Sequence, residues 1–199
     1  MNPIVEFDQN ITLDINSVYN DNFDMFFYYM SNSKIVWFGL GAVLIFFIFK
    51  KVKPNYRKAL IFLLFMAVAI LICDQLCNVF KHSVQRFRPC WDENIMDQVH
   101  IVNDNRGGKY GFFSAHAAIF FTIAYLTTKF FKTKWYTVLI YFIAILFAYS
   151  RIYLGRHFVG DVVCGAIAGT LVAWGVYFAY EKFIAKYNRK HPHQRTSKK

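Results

Sequence analysis

Five long apolar runs leave this 199-residue chain few ways to fold. They cover residues 35–49, 59–80, 114–128, 135–149 and 162–180, and short charged segments divide them. A helix needs about 20 apolar residues to cross a bilayer. The run at 35–49 falls short, so its helix is expected to begin among the aromatic residues before it. Apolar residues make up 56% of the chain, and 20% are aromatic. Soluble domains hold roughly 45–50% apolar residues. The pattern implies an all-α fold, a polytopic membrane helix bundle of about five transmembrane helices. By length this is a single domain over residues 1–199.

Residues 1–33 mix apolar positions with Glu6, Asp8, Asp14, Asp21 and Asp24, and end on Phe26, Phe27, Tyr28 and Tyr29. That pattern predicts an N-terminal interfacial amphipathic helix with an aromatic belt. An acidic start and a late first apolar run do not fit a cleavable signal peptide. The net charge of +11 is concentrated in three places. Two are tight loops, Lys50 to Lys58 and Lys129 to Lys134, and the third is the tail 181–199. With five spans all three fall on one side, which the positive-inside rule makes cytoplasmic. The N-terminus, the loop 81–113 and the stretch 150–161 then share the opposite face. This distribution accounts for most of the charge without a nucleic-acid partner. Cys73, Cys77 and Cys164 sit in apolar runs and Cys90 in a polar loop, so no disulfide framework is implied.

Three polar segments on that outer face carry the chemistry. In the first, Ser150 to Asp161, His157 and Asp161 stand four residues apart. A carboxylate on one ring nitrogen fixes the tautomer and makes the other nitrogen a better nucleophile or base. Arg151 beside them suits phosphate oxygens. In the second, Lys81 and Arg88 are two helical turns apart and can share a face. Asp74 precedes Lys81 by the same spacing and is expected to pair with a basic residue of the site. In the third, Ser114 is a natural N-cap, and Ala115 and His116 follow at a helix start, where free N–H groups bind phosphate. Fixed cations, N–H donors and two histidines together suit phosphoryl transfer. Arg86 and Arg156 are expected as outer-rim contacts or head-group anchors. Arg106 to Lys109 either shapes its loop or touches a head group. Gly165 and Gly169 are expected to let helices pack closely.

These segments resemble the three motifs of the type 2 phosphatidic acid phosphatase family, membrane lipid phosphatases related to vanadium haloperoxidases. Lys81, Arg88 and Pro89 match the first motif, and Ser150, Arg151, His157 and Asp161 match the third. The second motif, Pro-Ser-Gly-His, reads Phe113-Ser114-Ala115-His116 here, with two departures. The resemblance implies that His157 is the nucleophile and forms a phosphohistidine. It makes Asp161 the orienting carboxylate and His116 the acid and later base. It also assigns Lys81, Arg88, Ser114, Ala115 and Arg151 to phosphate binding. It implies no metal and no cofactor. The partners implied are a lipid phosphate and bilayer lipids, with no nucleic acid. The expected activity is a hydrolase of lipid phosphate or pyrophosphate at the periplasmic face of an inner membrane. Undecaprenyl pyrophosphate and lipid A phosphate are the leading substrates. A phosphotransferase using the same phosphohistidine, and a non-catalytic phospholipid-binding or transport protein, are the rivals.

Overall fold

The computed structural model describes residues 2–190, and seven α-helices form among them. Four are long and apolar enough to cross a membrane. These are α3 (Lys34–Val52), α4 (Tyr56–Val84), α6 (Lys134–Tyr153) and α7 (Val159–Lys190). The remaining apolar helix, α5 (Ala115–Phe131), has 17 residues. It packs against α4, α6 and α7 and buries Ala117, Ala118, Phe120, Thr122, Ala124, Leu126 and Thr127. The five expected spans correspond to the helices α3 to α7, of which α5 is shorter than the four candidate spans. The bundle is lined by two stacked aromatic pairs, Phe120 with Phe147 and Phe62 with Phe130.

The span ends differ from the expected ones where charged residues continue a helix. Helix α6 runs on through Ser150 and Arg151, so the start of the third motif is its last turn. Helix α7 runs to Lys190, so the first part of the basic tail is helical. The rest of that tail, residues 191–199, lies outside the described residues.

The described part of the N-terminal segment, residues 2–33, forms two helices rather than one, α1 (Pro3–Asn16) and α2 (Asp21–Asn32). Asn2 and Asn20 cap them by accepting the N–H groups of Ile4 and Phe23, each at 3.0 Å. Their buried faces are largely polar: Gln9, Thr12, Asn16, Asp24 and Ser31 are buried together with Phe27 and Met30, while Ile4, Phe7, Phe23, Phe26 and Tyr29 are exposed. The polar stripe faces the loops at one end of the bundle. Asn16 donates to the backbone carbonyls of Tyr153 (2.6 Å) and His100 (3.0 Å). Asp24 accepts from the Tyr153 hydroxyl and contacts His100 Nε2, both at 2.7 Å.

Helices α5 and α7 touch backbone to backbone. A Cβ on Gly169 would lie 2.1 Å from the Ala118 carbonyl oxygen, and one on Gly165 would lie 2.5 Å from that of Ser114. Glycine at these two positions therefore sets the spacing. The Thr122 hydroxyl donates to the Gly169 carbonyl at 2.9 Å and fixes the register. Gly169→Ala is expected to destabilise the bundle by about 1–3 kcal/mol through overpacking. Gly39→Ala, with open space around its Cβ, is expected to change nothing. Thermal unfolding of both variants in detergent checks this.

Candidate active site

The α5–α7 contact brings two motifs together. Ser114 caps α5, with its Oγ accepting the Ala117 N–H at 3.5 Å, and its own N–H donates to the Asp161 carbonyl at 3.0 Å. His116, the second residue of α5, thus stands beside the start of α7. The hydroxyl hydrogen of Ser114 stays available to a ligand, because the cap uses only an oxygen lone pair. Ala115 packs into a cluster with Cys73, Cys77, Phe113 and Ala118. Phe113, where the family motif has Pro, is buried there against Phe80, with ring centroids 5.4 Å apart.

The turn from α6 to α7 is buried from Ser150 to Phe158. The Arg151 carbonyl accepts the N–H groups of Arg156 and His157, at 3.0 and 3.1 Å. His157 is 2% exposed, and its Nδ1 lies 3.5 Å from Asp161 Oδ2. That separation is longer than a well-formed hydrogen bond. It sets the side of the ring that faces the carboxylate and leaves Nε2 on the other. Asp161 Oδ2 also accepts the Phe158 N–H at 3.1 Å, which aims the carboxylate.

Around this ring the positive charges gather. Burial, and then the charges of Arg88, Arg151 and Lys81, hold the His157 imidazole well below the usual histidine pKa. The ring is therefore neutral near pH 7, the form a nucleophile needs. His116 lies within electrostatic reach of both Arg151 and His157 and meets Trp37 edge to face at 5.1 Å. Arg151 is 2% exposed and donates to the Ser31 hydroxyl. Among the described residues, the buried Nε of Arg151 and that of Arg156 have no hydrogen-bond partner. Buried cationic N–H groups without acceptors make a ready anion site. Among the same residues, no three His, Cys, Asp or Glu side chains converge as metal ligands.

All the residues singled out in the three motifs lie at this end of the bundle, with Lys81 in the last turn of α4 and Arg88 just beyond it. Several expectations nevertheless need correction. Arg86 is no rim contact. Its Nη1 binds Asp161 Oδ1 at 2.9 Å and its Nη2 binds Asp8 Oδ2 at 2.7 Å. Arg156 is likewise internal, 7% exposed, and donates to Asn32 Oδ1 at 3.0 Å. Among the described residues Asp74 forms no salt bridge, and it accepts from Asn78 (3.3 Å) and Gln75 (3.4 Å). Gly107 shapes its loop, because its φ is +66° and a Cβ there would lie 2.3 Å from Arg88 Nη1. Sequence reasoning missed Asp8, Ser31 and Asn32, whose partners lie more than 70 residues away.

A polytopic helical bundle with a cationic, histidine-centred anion site at one end has the form of a membrane phosphatase. Residues 58–185 match the PAP2 superfamily model, and the chain belongs to that family of membrane lipid phosphatases. It is 38% identical over 181 residues to a lipid A 4'-phosphatase of Porphyromonas gingivalis, covering 90% of this chain and 75% of that one. It is 30% identical over 139 residues to an undecaprenyl-diphosphatase of Sulfolobus acidocaldarius, covering 70% and 61%. The crystal structure of a transmembrane PAP2-type phosphatidylglycerolphosphate phosphatase from Bacillus subtilis superposes with a TM-score of 0.64 at 23% identity. That match covers 92% of this chain and 88% of the other, and it bears on the fold.

The cations around His157 give a pH signature. Removing one of them relieves repulsion of the protonated ring, so the His157 pKa rises toward the ordinary value. Arg88→Ala is expected to move the acid limb of the kcat/KM profile to higher pH, on top of a loss in phosphate affinity. A pH–rate series on both proteins with one substrate checks this.

Proposed function

We propose that this protein hydrolyses a phosphate monoester of a lipid A-type glycolipid at the outer face of the cytoplasmic membrane, through a phosphohistidine. The observation that carries the reading is the buried His157, backed by Asp161 and ringed by Lys81, Arg88 and Arg151. Nε2 of His157 attacks phosphorus and the P–O bond to the lipid breaks. The anionic phosphoryl group bound beside His116 favours its protonated ring, which gives its proton to the leaving oxygen. His116 then takes a proton from water as the water attacks the phosphohistidine, releasing inorganic phosphate and His157. Lys81, Arg88, Arg151, the Ser114 hydroxyl and the N–H groups at Ala115 hold the phosphoryl oxygens as charge builds on them. These side chains take the charge-neutralising part that a metal ion has at other phosphoryl-transfer sites.

A lipid is favoured over a soluble ester by the surroundings of the site. A cleft of about 340 Å³ between α3, α5 and α6 runs from Trp37 and Phe120 near the site to Phe131, Trp135 and Tyr136 at the other end of the bundle. Trp37 links it to His116. Lipid A is favoured over undecaprenyl diphosphate because the lipid A 4'-phosphatase is the more similar relative, over more of both chains. The outward orientation rests on the basic loops after α3 and α5 and the basic end of α7. A reporter fused into the loop 92–98 that reads cytoplasmic would overturn it.

The test is phosphate release by the protein purified in detergent, with EDTA present. The substrates are lipid A, undecaprenyl diphosphate, phosphatidylglycerol phosphate and phosphatidic acid. Fastest release from lipid A is expected. His157→Ala is expected to abolish release, and His116→Gln to slow it by about 10²–10⁴-fold. A His157→Ala variant with wild-type activity would sink the mechanism. Faster release from undecaprenyl diphosphate would replace the substrate.

A further inference from the structure

Outside the three motifs, one chain of charges reaches the catalytic dyad from the N-terminal helix. It begins at Asp8 of α1. Asp8 Oδ1 accepts the N–H of Gly160 in the first turn of α7, at 2.8 Å. Asp8 Oδ2 binds Arg86 Nη2 at 2.7 Å, and Arg86 Nη1 binds Asp161 Oδ1 at 2.9 Å. The guanidinium lies over the Phe158 ring, 4.1 Å from its centroid, so it is held on its face as well as its edge. The close approach needs glycine at 160, where a Cβ would meet Asp8 Oδ2 at 2.8 Å. Helix α1 is itself seated by Gln9 on Asp92 (3.0 Å), by Asn16 on the Tyr153 carbonyl (2.6 Å) and by Thr12 on the Val159 N–H (3.2 Å).

We propose that Asp8 and Arg86 are positioning residues for the dyad, so that helix α1 sets the orientation and the charge of Asp161. The argument rests on the reading of His157 as nucleophile. A carboxylate rotates easily about its last torsion, whose preference is broad. Arg86 on Oδ1, together with the Phe158 N–H on Oδ2, holds Oδ2 toward His157. The charge matters as much as the aim. One guanidinium is shared between two carboxylates, so Asp161 keeps net negative charge to set against a phosphorylated imidazole. Without Asp8, Arg86 pairs with Asp161 alone and cancels that charge. Neither Asp8 nor Arg86 is placed to hold the transferred phosphoryl group. Their effect therefore falls on kcat and leaves KM nearly unchanged.

The test compares three full-length variants in detergent, on the best lipid substrate and in orthovanadate binding, which mimics five-coordinate phosphorus. Asp8→Asn keeps an oxygen for the Gly160 N–H but loses the charge. It is expected to lower kcat by about 10–100-fold, the scale seen when the supporting partner of a functional ligand is removed. KM should stay within about twofold and vanadate should bind correspondingly more weakly. Asp8→Glu is expected to restore part of kcat. Thr12→Val removes a neighbouring α1–α7 hydrogen bond without touching Arg86. It should lower the melting temperature and spare kcat. The proposal fails if Asp8→Asn turns over and binds vanadate like wild type. It also fails if Asp8→Asn and Thr12→Val lose kcat in proportion to stability, which would mark α1 as a structural dock. A wild-type protein that binds vanadate but releases no phosphate from any lipid would instead overturn the substrate reading. The vanadate comparison would still decide the role of Asp8.

Discussion

The contact on which the site depends is the backbone approach of α7 to α5. Gly165 and Gly169 let α7 lie against the carbonyls of Ser114 and Ala118. At that spacing the Ser114 N–H reaches the Asp161 carbonyl, and the cap of one helix is tied to the first turn of the other. His116 and His157 then stand at the same end of the bundle, on residues 41 positions apart in sequence. A side chain at either glycine would push the helices apart and open the site without altering any catalytic group. In a membrane, where lipid competes for every apolar surface, such close van der Waals contact is the main force holding helices together.

The second dependence is electrostatic. Lys81, Arg88, Arg151 and Arg156 are gathered at one end of an apolar bundle, and the buried Nε atoms of two of them have no acceptor among the described residues. Burying charge without a partner is costly, so the arrangement is stabilised when an anion arrives. The carboxylates that are present do not cancel it. Asp161 and Asp8 share Arg86, and Asp24 is engaged with His100 and Tyr153. Burial, and then the same field, keep His157 neutral. One set of charges thus prepares both the phosphate pocket and the nucleophile.

Much of this was legible in the chain. The apolar runs gave the spans, because the hydrophobic thickness of a bilayer is a length that sequence can be measured against. The spacings Lys81 to Arg88 and His157 to Asp161 are local, so helix geometry made them readable. Arg86 was misjudged because nothing nearby in sequence shows that Asp8 and Asp161 flank it. Asp74 was misjudged for the opposite reason. A helical spacing toward Lys81 suggested an ion pair, but short-range amides of Gln75 and Asn78 satisfied the carboxylate first. The N-terminal segment read correctly as amphipathic, yet its polar face turned inward onto the site.

By itself, the sequence determined the membrane bundle, the three motifs and the end of the bundle where they meet, since each follows from hydrophobic length or from spacing within one helix. Tertiary structure alone decided which groups support the dyad. Asp8, Ser31 and Asn32 reach Arg86, Arg151 and Arg156 across 78, 120 and 124 residues of chain. No periodicity encodes such contacts. They exist because α1 and α2 fold over the bundle and place their polar stripe where buried cations need hydrogen-bond acceptors.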